Sequence, residues 1–440
     1  MDGCPSQPLS HLTSDSPSEY KAACMFGRWI ESDLAEKLSS PYVQMMFGAR
    51  QTGKSTLLQK LIPNASIWLD FSAPRQRSEY LRDPGALVER CRGLPVSETA
   101  HVVVVDEAQA VPGIFDAVQH LYDSDKRRWR FVLCGSSARK LRKTGANLLP
   151  GRTLLHHLYP LTLVERPLPE SGSLNYAVES PLALAPVAAT PESPLFPVTD
   201  LIERMTFGEL PGVATGPPER RADVLRAYCL VYLEEELRRE SLIKDWAAFS
   251  RFLALAASES GQLINYAKIS KDAGVSQPTV KSYYQLLEDM FIAFRLPAFS
   301  KSRRKNLLST DRFFFFDLGV RHAAAEVPLD TAMVLGNPGP VFEQWVGIEL
   351  WKRLKYLGTG RLHYFRTKGG AEVDFIIERD NALVPVEVKW NEKPTLQDAR
   401  HLLGFLEEHP KAAKQGFIIC RCRHPLRLHD KILALPWFCL

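Results

Sequence analysis

Gly48-Ala49-Arg50-Gln51-Thr52-Gly53-Lys54-Ser55 matches the phosphate-loop pattern G-x-x-x-x-G-K-[ST] at every fixed position. The loop follows the apolar run Val43 to Phe47 and leads into a helical stretch that begins near Thr56, which is the strand–loop–helix order the motif requires. Two glycines let the backbone wrap phosphates, while amide N–H groups and the helix N-terminus supply positive potential. Lys54 reaches the outer phosphates and Ser55 ligates Mg²⁺. The expected ATP-binding residues are therefore Gly48, Ala49, Arg50, Gln51, Thr52, Gly53, Lys54, Ser55 and Thr56.

The second half of such a site belongs on another parallel strand, and His101-Val102-Val103-Val104-Val105-Asp106-Glu107 supplies four aliphatics ending in two acids. Asp106 is expected to hold the Mg²⁺ through water, and Glu107 to orient or activate the water that attacks the γ-phosphate. A third strand, Phe131 to Cys134, ends in Gly135-Ser136-Ser137-Ala138-Arg139. In a parallel sheet its C-terminal end lies beside the phosphate site, so Ser136 is either a γ-phosphate sensor or an ordinary helix cap. Arg139 and Arg152 are candidates for stabilising transition-state charge, in cis or across a subunit interface; plain structural roles are the alternative.

With 440 residues the chain has room for about three domains. Hydrophobic residues at 45% and charged residues at 24% exclude collagen-like, coiled-coil or wholly disordered chains. A net charge of +5 is too small to make nucleic-acid binding a bulk property, so any basic surface must be local. No apolar run approaches the length of a membrane helix, and the first 25 residues lack a secretory core. The eight cysteines are scattered, Cys420 and Cys422 being the one close pair, and read as reduced thiols. A cytoplasmic protein without a membrane partner is the expectation.

Along the chain, residues 1–25 read as a flexible N-terminus and 26–165 as an α/β domain with a P-loop parallel sheet, including Ile67 to Phe71 as a strand. Residues 166–200, punctuated by Pro167, Pro169, Pro181, Pro186, Pro191, Pro194 and Pro197, read as an extended insertion. Residues 201–300 have helical periodicity, as in Val224, Leu225, Tyr228, Val231 and Tyr232. Residues 301–440 open on Lys301, Arg303, Arg304 and Lys305. They continue with a helix at about 341–357 and strands at 362–366, 373–378 and 384–390, a second α/β unit.

The segments GARQTGKSTLL, IWLDF, VVVVDEAQ, FVLCGSSARKL, GR followed by YPLTLVE, and AYCLVYLEEELRRE resemble a family of bacterial and archaeal ATPases related to the AAA+ class, whose members carry a C-terminal domain of unknown function. The resemblance runs over roughly residues 26 to 425, apart from the proline-rich insertion. It implies a winged-helix element in the helical domain and a restriction-endonuclease-like fold in the last. A homo-oligomer, in which a neighbour's arginine reaches the nucleotide, is implied on the same ground.

Asn265 to Glu288 reads as a short helix, a turn at Gly274, and a second helix from Gln277 capped by Ser276. Gln277, Thr279, Lys281 and Ser282 would face outward where groove-reading residues sit, making DNA or RNA a candidate partner; a simple packing unit fits the pattern equally. Near the C-terminus, a hairpin centred between Asp380 and Asn381 would set Asp374 opposite Glu387 and put Glu387 and Lys389 on one face. Two acids can bind a divalent metal while a lysine polarises water, with Glu343 on the preceding helix as an auxiliary acid. The Asp…ExK pattern is similar to that of restriction-type nucleases. It fits three outcomes: cleavage, a nuclease-like fold used for binding only, or a solvated strand face on which Pro385 marks an edge. Two functions follow, an ATP-gated nucleic-acid enzyme or a nucleotide-dependent switch with an inert C-terminal domain.

Overall fold

The computed structural model describes residues 26–136, 149–166, 198–233, 243, 245–300, 310–367 and 369–440. Arg139, the cluster Lys301 to Lys305, the N-terminal segment and most of the proline-rich stretch lie outside the described residues.

β1 (Val43–Phe47), β2 (Ile67–Asp70), β3 (His101–Asp106), β4 (Trp129–Gly135) and β5 (Thr153–His157) form a parallel sheet in the order β2-β3-β4-β1-β5. Side chains alternate between two cores, as the two-residue strand period requires. Val43, Met45, Phe47, Val103, Val105, Phe131 and Leu133 pack on one face with helix Ile114–Ser124, whereas Met46, Val104, Val132 and Cys134 pack on the other with helices Glu31–Leu38 and Lys54–Leu61. Both faces are covered, which is why these strands read as continuous apolar runs.

Helices Val198–Phe207, Arg221–Ala227, Trp246–Ser258, Tyr266–Ala273 and Gln277–Asp289 follow, then β6 (Ala293–Leu296) paired antiparallel with β7 (Arg312–Phe315). The first of these helices begins at Val198, inside the stretch read as insertion. Local chemistry fixes the two-helix turn: Asn265 accepts from Lys268 N–H, Gly274 adopts φ 72°, and Ser276 accepts from Thr279 N–H. Phe313, Phe315, Phe316 and Val320 share one core with Phe249, Phe252, Tyr283 and Tyr284, whereas Phe314 and Leu318 pack in the core that includes Phe342 and Phe375, so β7 and helix Leu318–Ala324 bridge the two.

The last unit packs helix Pro338–Leu357 on one face of a six-stranded mixed sheet and helix Arg400–Glu408 on the other. Its strands are β8 (Arg361–Arg366), β9 (Glu372–Arg379), β10 (Ala382–Val388), β11 (Gly416–Cys420), β12 (Leu426–His429) and β13 (Ile432–Pro436), ordered β12-β13-β11-β10-β9-β8. Gly347 lets the long helix approach closely, since a Cβ there would stand 2.6 Å from the Phe375 ring. The β9–β10 turn has φ 50° at Asp380 and 64° at Asn381, the geometry of a two-residue hairpin turn, and pairing runs from Ala382 with Arg379 to Val386 with Phe375. β10 is interior, not an edge; Pro385 is tolerated because pairing with β11 begins one residue later, at Val386.

Candidate functional site

The nucleotide loop takes its shape from two places where only glycine fits. A Cβ on Gly48 would lie 2.2 Å from the Leu158 carbonyl oxygen, because β5 runs beside β1 and Leu158 N–H bonds to Phe47 O. Gly53 has φ 93° and starts helix Lys54–Leu61. Lys54 is buried, and its Nζ donates to Gly48 O at 2.8 Å and Ala49 O at 2.9 Å, so the ammonium rests on the carbonyls of its own loop. Ser55 Oγ meets Asp106 Oδ2, and Asp106 Oδ1 accepts from Glu107 N–H at 2.9 Å. Glu107 sits at φ 53°, and its carboxylate is reached by Gln109 Nε2 and by Ser136 Oγ at 3.4 Å. Gln109 Nε2 also bonds Ser136 Oγ at 3.1 Å.

Lys54, Ser55, Asp106, Glu107 and Ser136 thus converge at the C-terminal end of the parallel sheet, where doubly wound sheets bind ligands. The glycine cradle, the helix start and the Ser55–Asp106 pair fit a nucleotide phosphate with a divalent cation. A cleft of about 80 Å³ between Phe26, Thr56, Leu57 and Pro211 opens beside Gly53. Arg152 is the exception. It precedes β5 at the opposite end of the sheet and pairs with Asp123 at 2.8 Å, so it does not face the loop of its own chain.

Arg28 touches the loop without a motif to announce it, and Gln109 enters the sequence reading only as the last residue of VVVVDEAQ. Arg28 is buried, donates to Glu165 Oε1 at 2.9 Å, Thr52 O at 2.7 Å and Tyr159 O at 2.6 Å, and so braces the loop from behind. Burial opposes its charge, but Glu165 and Tyr356 more than compensate and raise its pKa. The brace continues into the last unit. Tyr356 Oη accepts from Tyr159 N–H at 3.2 Å, Glu349 Oε1 accepts from Leu163 N–H at 2.9 Å, and Lys352 Nζ donates to Leu161 O. Glu349 is fully buried; desolvation opposes its ionisation, yet Lys352 and Arg353 hold it at about 2.

A second charged cluster lies on the C-terminal sheet. Val388 N–H donates to Asp374 Oδ2 at 2.8 Å, so Asp374 stands abreast of Glu387, and Lys389 Nζ meets Glu387 Oε1 at 2.7 Å. Burial, then the Asp374 charge, pushes Glu387 up to about 8 and Glu343 up to about 7; burial also raises Asp374. Asp374, Glu387 and Lys389 are therefore together. Among the described residues no three His, Cys, Asp or Glu side chains are grouped to hold a metal ion. Protein cations meet the acids of this cluster: Arg312 donates to Glu343 at 2.7 Å and to Glu372, and Lys389 pairs with Glu387. A cleft of about 660 Å³ opens beside Arg312 and Glu343. The described cysteines, Cys420 and Cys422 included, are all free thiols.

Among the described residues no helix is long and apolar enough to cross a membrane. Residues 40–166 match a family model described as an AAA domain, 198–331 match a domain of unknown function (DUF8612), and 338–440 match another (DUF4143). The second of these ranges takes in β7 and helix Leu318–Ala324. An uncharacterized protein of Mycobacterium tuberculosis and one of Mycobacterium bovis are each 23% identical over 99% of this chain and 89% of their own length. An uncharacterized protein of Haemophilus influenzae is 23% identical over 85% of this chain and 89% of its own. The first match, together with the parallel sheet, supports a P-loop AAA-type ATPase domain at residues 40–166, followed by a C-terminal domain of unknown function.

Proposed function

We propose that the chain hydrolyses ATP with Mg²⁺ and passes the nucleotide state to a C-terminal half that binds nucleic acid. The observation that carries this reading is the convergence of Lys54, the Ser55–Asp106 pair and Glu107 at one end of the sheet. Bound Mg²⁺, held through Ser55 and Asp106, would offset charge on the phosphate oxygens. A triphosphate entering the cradle draws the Lys54 ammonium off Gly48 O and Ala49 O onto its own oxygens. Glu107, held by Gln109 and near Ser136, accepts the proton side of the attacking water and orients it in line. Because Arg152 faces away, an arginine from a neighbouring copy in a homo-oligomer is the means of completing the charge at the γ-phosphate. The cytoplasm, where ATP is supplied, is the fitting location.

The winged-helix reading of residues 246–315 is supported by the capped two-helix turn followed by an antiparallel strand pair, with Gln277, Lys281 and Ser282 exposed. Phosphate release assayed with Lys54→Ala tests the ATPase reading: loss of turnover supports it, and an unchanged rate ends it. A second reading, phosphodiester cleavage by the restriction-endonuclease-like C-terminal unit, has one observation in its favour: Glu387 Oε2 is buried without a partner. Plasmid nicking with added Mg²⁺ or Mn²⁺ that disappears in Lys389→Ala would favour cleavage; its absence in both proteins leaves binding alone.

A further inference from the structure

A cleft of about 470 Å³ lies where β6, the end of helix Pro338–Leu357 and β8 meet, away from both the nucleotide loop and the acid cluster. Leu296, Leu354 and the edge of Trp351 give it an apolar wall, and four nitrogen-bearing side chains ring it: Arg295, Lys355, Arg361 and His363. Their partners are unequal. Arg295 lies 2.9 Å from Glu288, and His363 Nε2 meets Glu378 at 3.1 Å, both restrained at the rim. Lys355 and Arg361 are exposed and make no salt bridge among the described residues, although Glu378, the acid that meets His363, stands opposite Arg361 across the β8–β9 pair. Burial pushes Glu288 up to about 7, so it only partly offsets Arg295 near neutral pH, and burial lowers His363 toward its neutral form. The cleft is left with a surplus of positive charge over an apolar wall, and its volume is that of a small-ligand site.

We infer that this cleft binds a nucleoside phosphate, with the base against the Leu296–Leu354–Trp351 wall and the phosphate between Lys355 and Arg361. Two full cations that make no salt bridge, against the one acid Glu378, suit a phosphate better than a single carboxylate, and a guanidinium fork matches phosphate oxygens. The same chemistry is presented by a free nucleotide and by one residue of a single strand. The strand is the source in keeping with the nucleic-acid reading above, on which that half of the inference rests. The cleft also adjoins the nucleotide domain: Trp351 meets Tyr159 edge-on at 4.9 Å, and Tyr356, further along the same helix, reaches Arg28.

Fluorescence anisotropy of a labelled oligothymidine with the full chain tests it, using wild type, Lys355→Glu/Arg361→Glu, and, as a control, Arg427→Glu/Lys431→Glu, two exposed cations at the opposite edge of the sheet. The cleft variant is expected to weaken binding about tenfold or more, and to lower the slope of log affinity against log salt by about 0.7, one lost phosphate contact on a single strand. Lys355→Ala/Arg361→Ala, with far-UV circular dichroism on both variants, separates charge loss from misfolding. Adenosine monophosphate titrated into Lys54→Ala, which disables the phosphate loop, distinguishes the sources. Displacement of the strand by the mononucleotide supports the cleft and names a free nucleotide as an occupant. Strand binding that ignores the cleft variant overturns the cleft while leaving the nucleic-acid reading intact, and failure of wild type to bind either probe overturns both.

Discussion

Arg28→Ala removes the brace behind the phosphate loop, and its consequence can be worked out in some detail. The guanidinium is buried and satisfies the Glu165 carboxylate and two backbone carbonyls, Thr52 O and Tyr159 O. Truncation strands a buried carboxylate, a change that typically costs about 3–5 kcal/mol. Glu165 keeps three other donors, Trp29 N–H, Thr162 N–H and Thr162 Oγ1, which argues for the lower end of that range. Loss of donors to the two carbonyls pushes the other way. About 3–4 kcal/mol is therefore expected for the unfolding transition that includes the N-terminal sheet, read from urea denaturation followed by tryptophan fluorescence. Because Thr52 belongs to the loop itself, ATP affinity should fall in the variant even where it remains folded. Arg152→Ala breaks an exposed pair with Asp123 and should leave both curves where they were. A loss below about 1 kcal/mol for Arg28→Ala, the range of a surface ion pair, would refute the brace.

Gly48→Ala places a methyl 2.2 Å from the Leu158 carbonyl oxygen, a backbone atom that cannot turn aside, so binding of a fluorescent ATP analogue should drop more than about tenfold. Glu107→Gln keeps the local hydrogen bonds but removes the charge that orients water; it should bind ATP as wild type does and release phosphate at least about a hundredfold more slowly. Glu349 is depressed to about 2 from 4.5. Its ionised form therefore stabilises the native state fully above pH 4.5, a contribution of about 3 kcal/mol that is lost as pH falls towards 2. Wild type should lose stability over that window, and Glu349→Gln, weaker at pH 7, should decline less steeply while Glu31 and Asp123 still titrate; parallel curves would contradict the assignment.

The sequence exposes what depends on short-range pattern. Two-sided burial makes β1, β3 and β4 visible as apolar runs, and the Asp380–Asn381 turn with alternating neighbours gives the β9–β10 register before any contact is known. β5 escapes because it is an edge strand: Leu155 is 62% exposed and His156 points inward onto Gln44, so Thr153–His157 never reads as a buried run. Arg28 and Arg312 escape for a different reason. Their partners are 137, 31 and 60 residues away, and an isolated arginine announces nothing about which carboxylate it will meet. That separation is also why the acid cluster was legible as a grouping but not as a closed one. Glu349, Lys352 and Arg353 would be assigned to solvent by composition, whereas the fold buries all three against residues 161–163.

The claim on which the rest stands is that the cradle at residues 48–55 holds a triphosphate beside Asp106 and Glu107. A crystal structure of the full chain with Mg²⁺ and a nonhydrolysable ATP analogue tests it. The account predicts phosphates on the loop amides, Lys54 Nζ moved from Gly48 O and Ala49 O to the outer phosphates, the cation at Ser55 and Asp106, and Glu107 facing the γ-phosphate. An analogue bound elsewhere, or a Lys54 that stays on its own carbonyls with the cradle empty at saturating ligand, would contradict it.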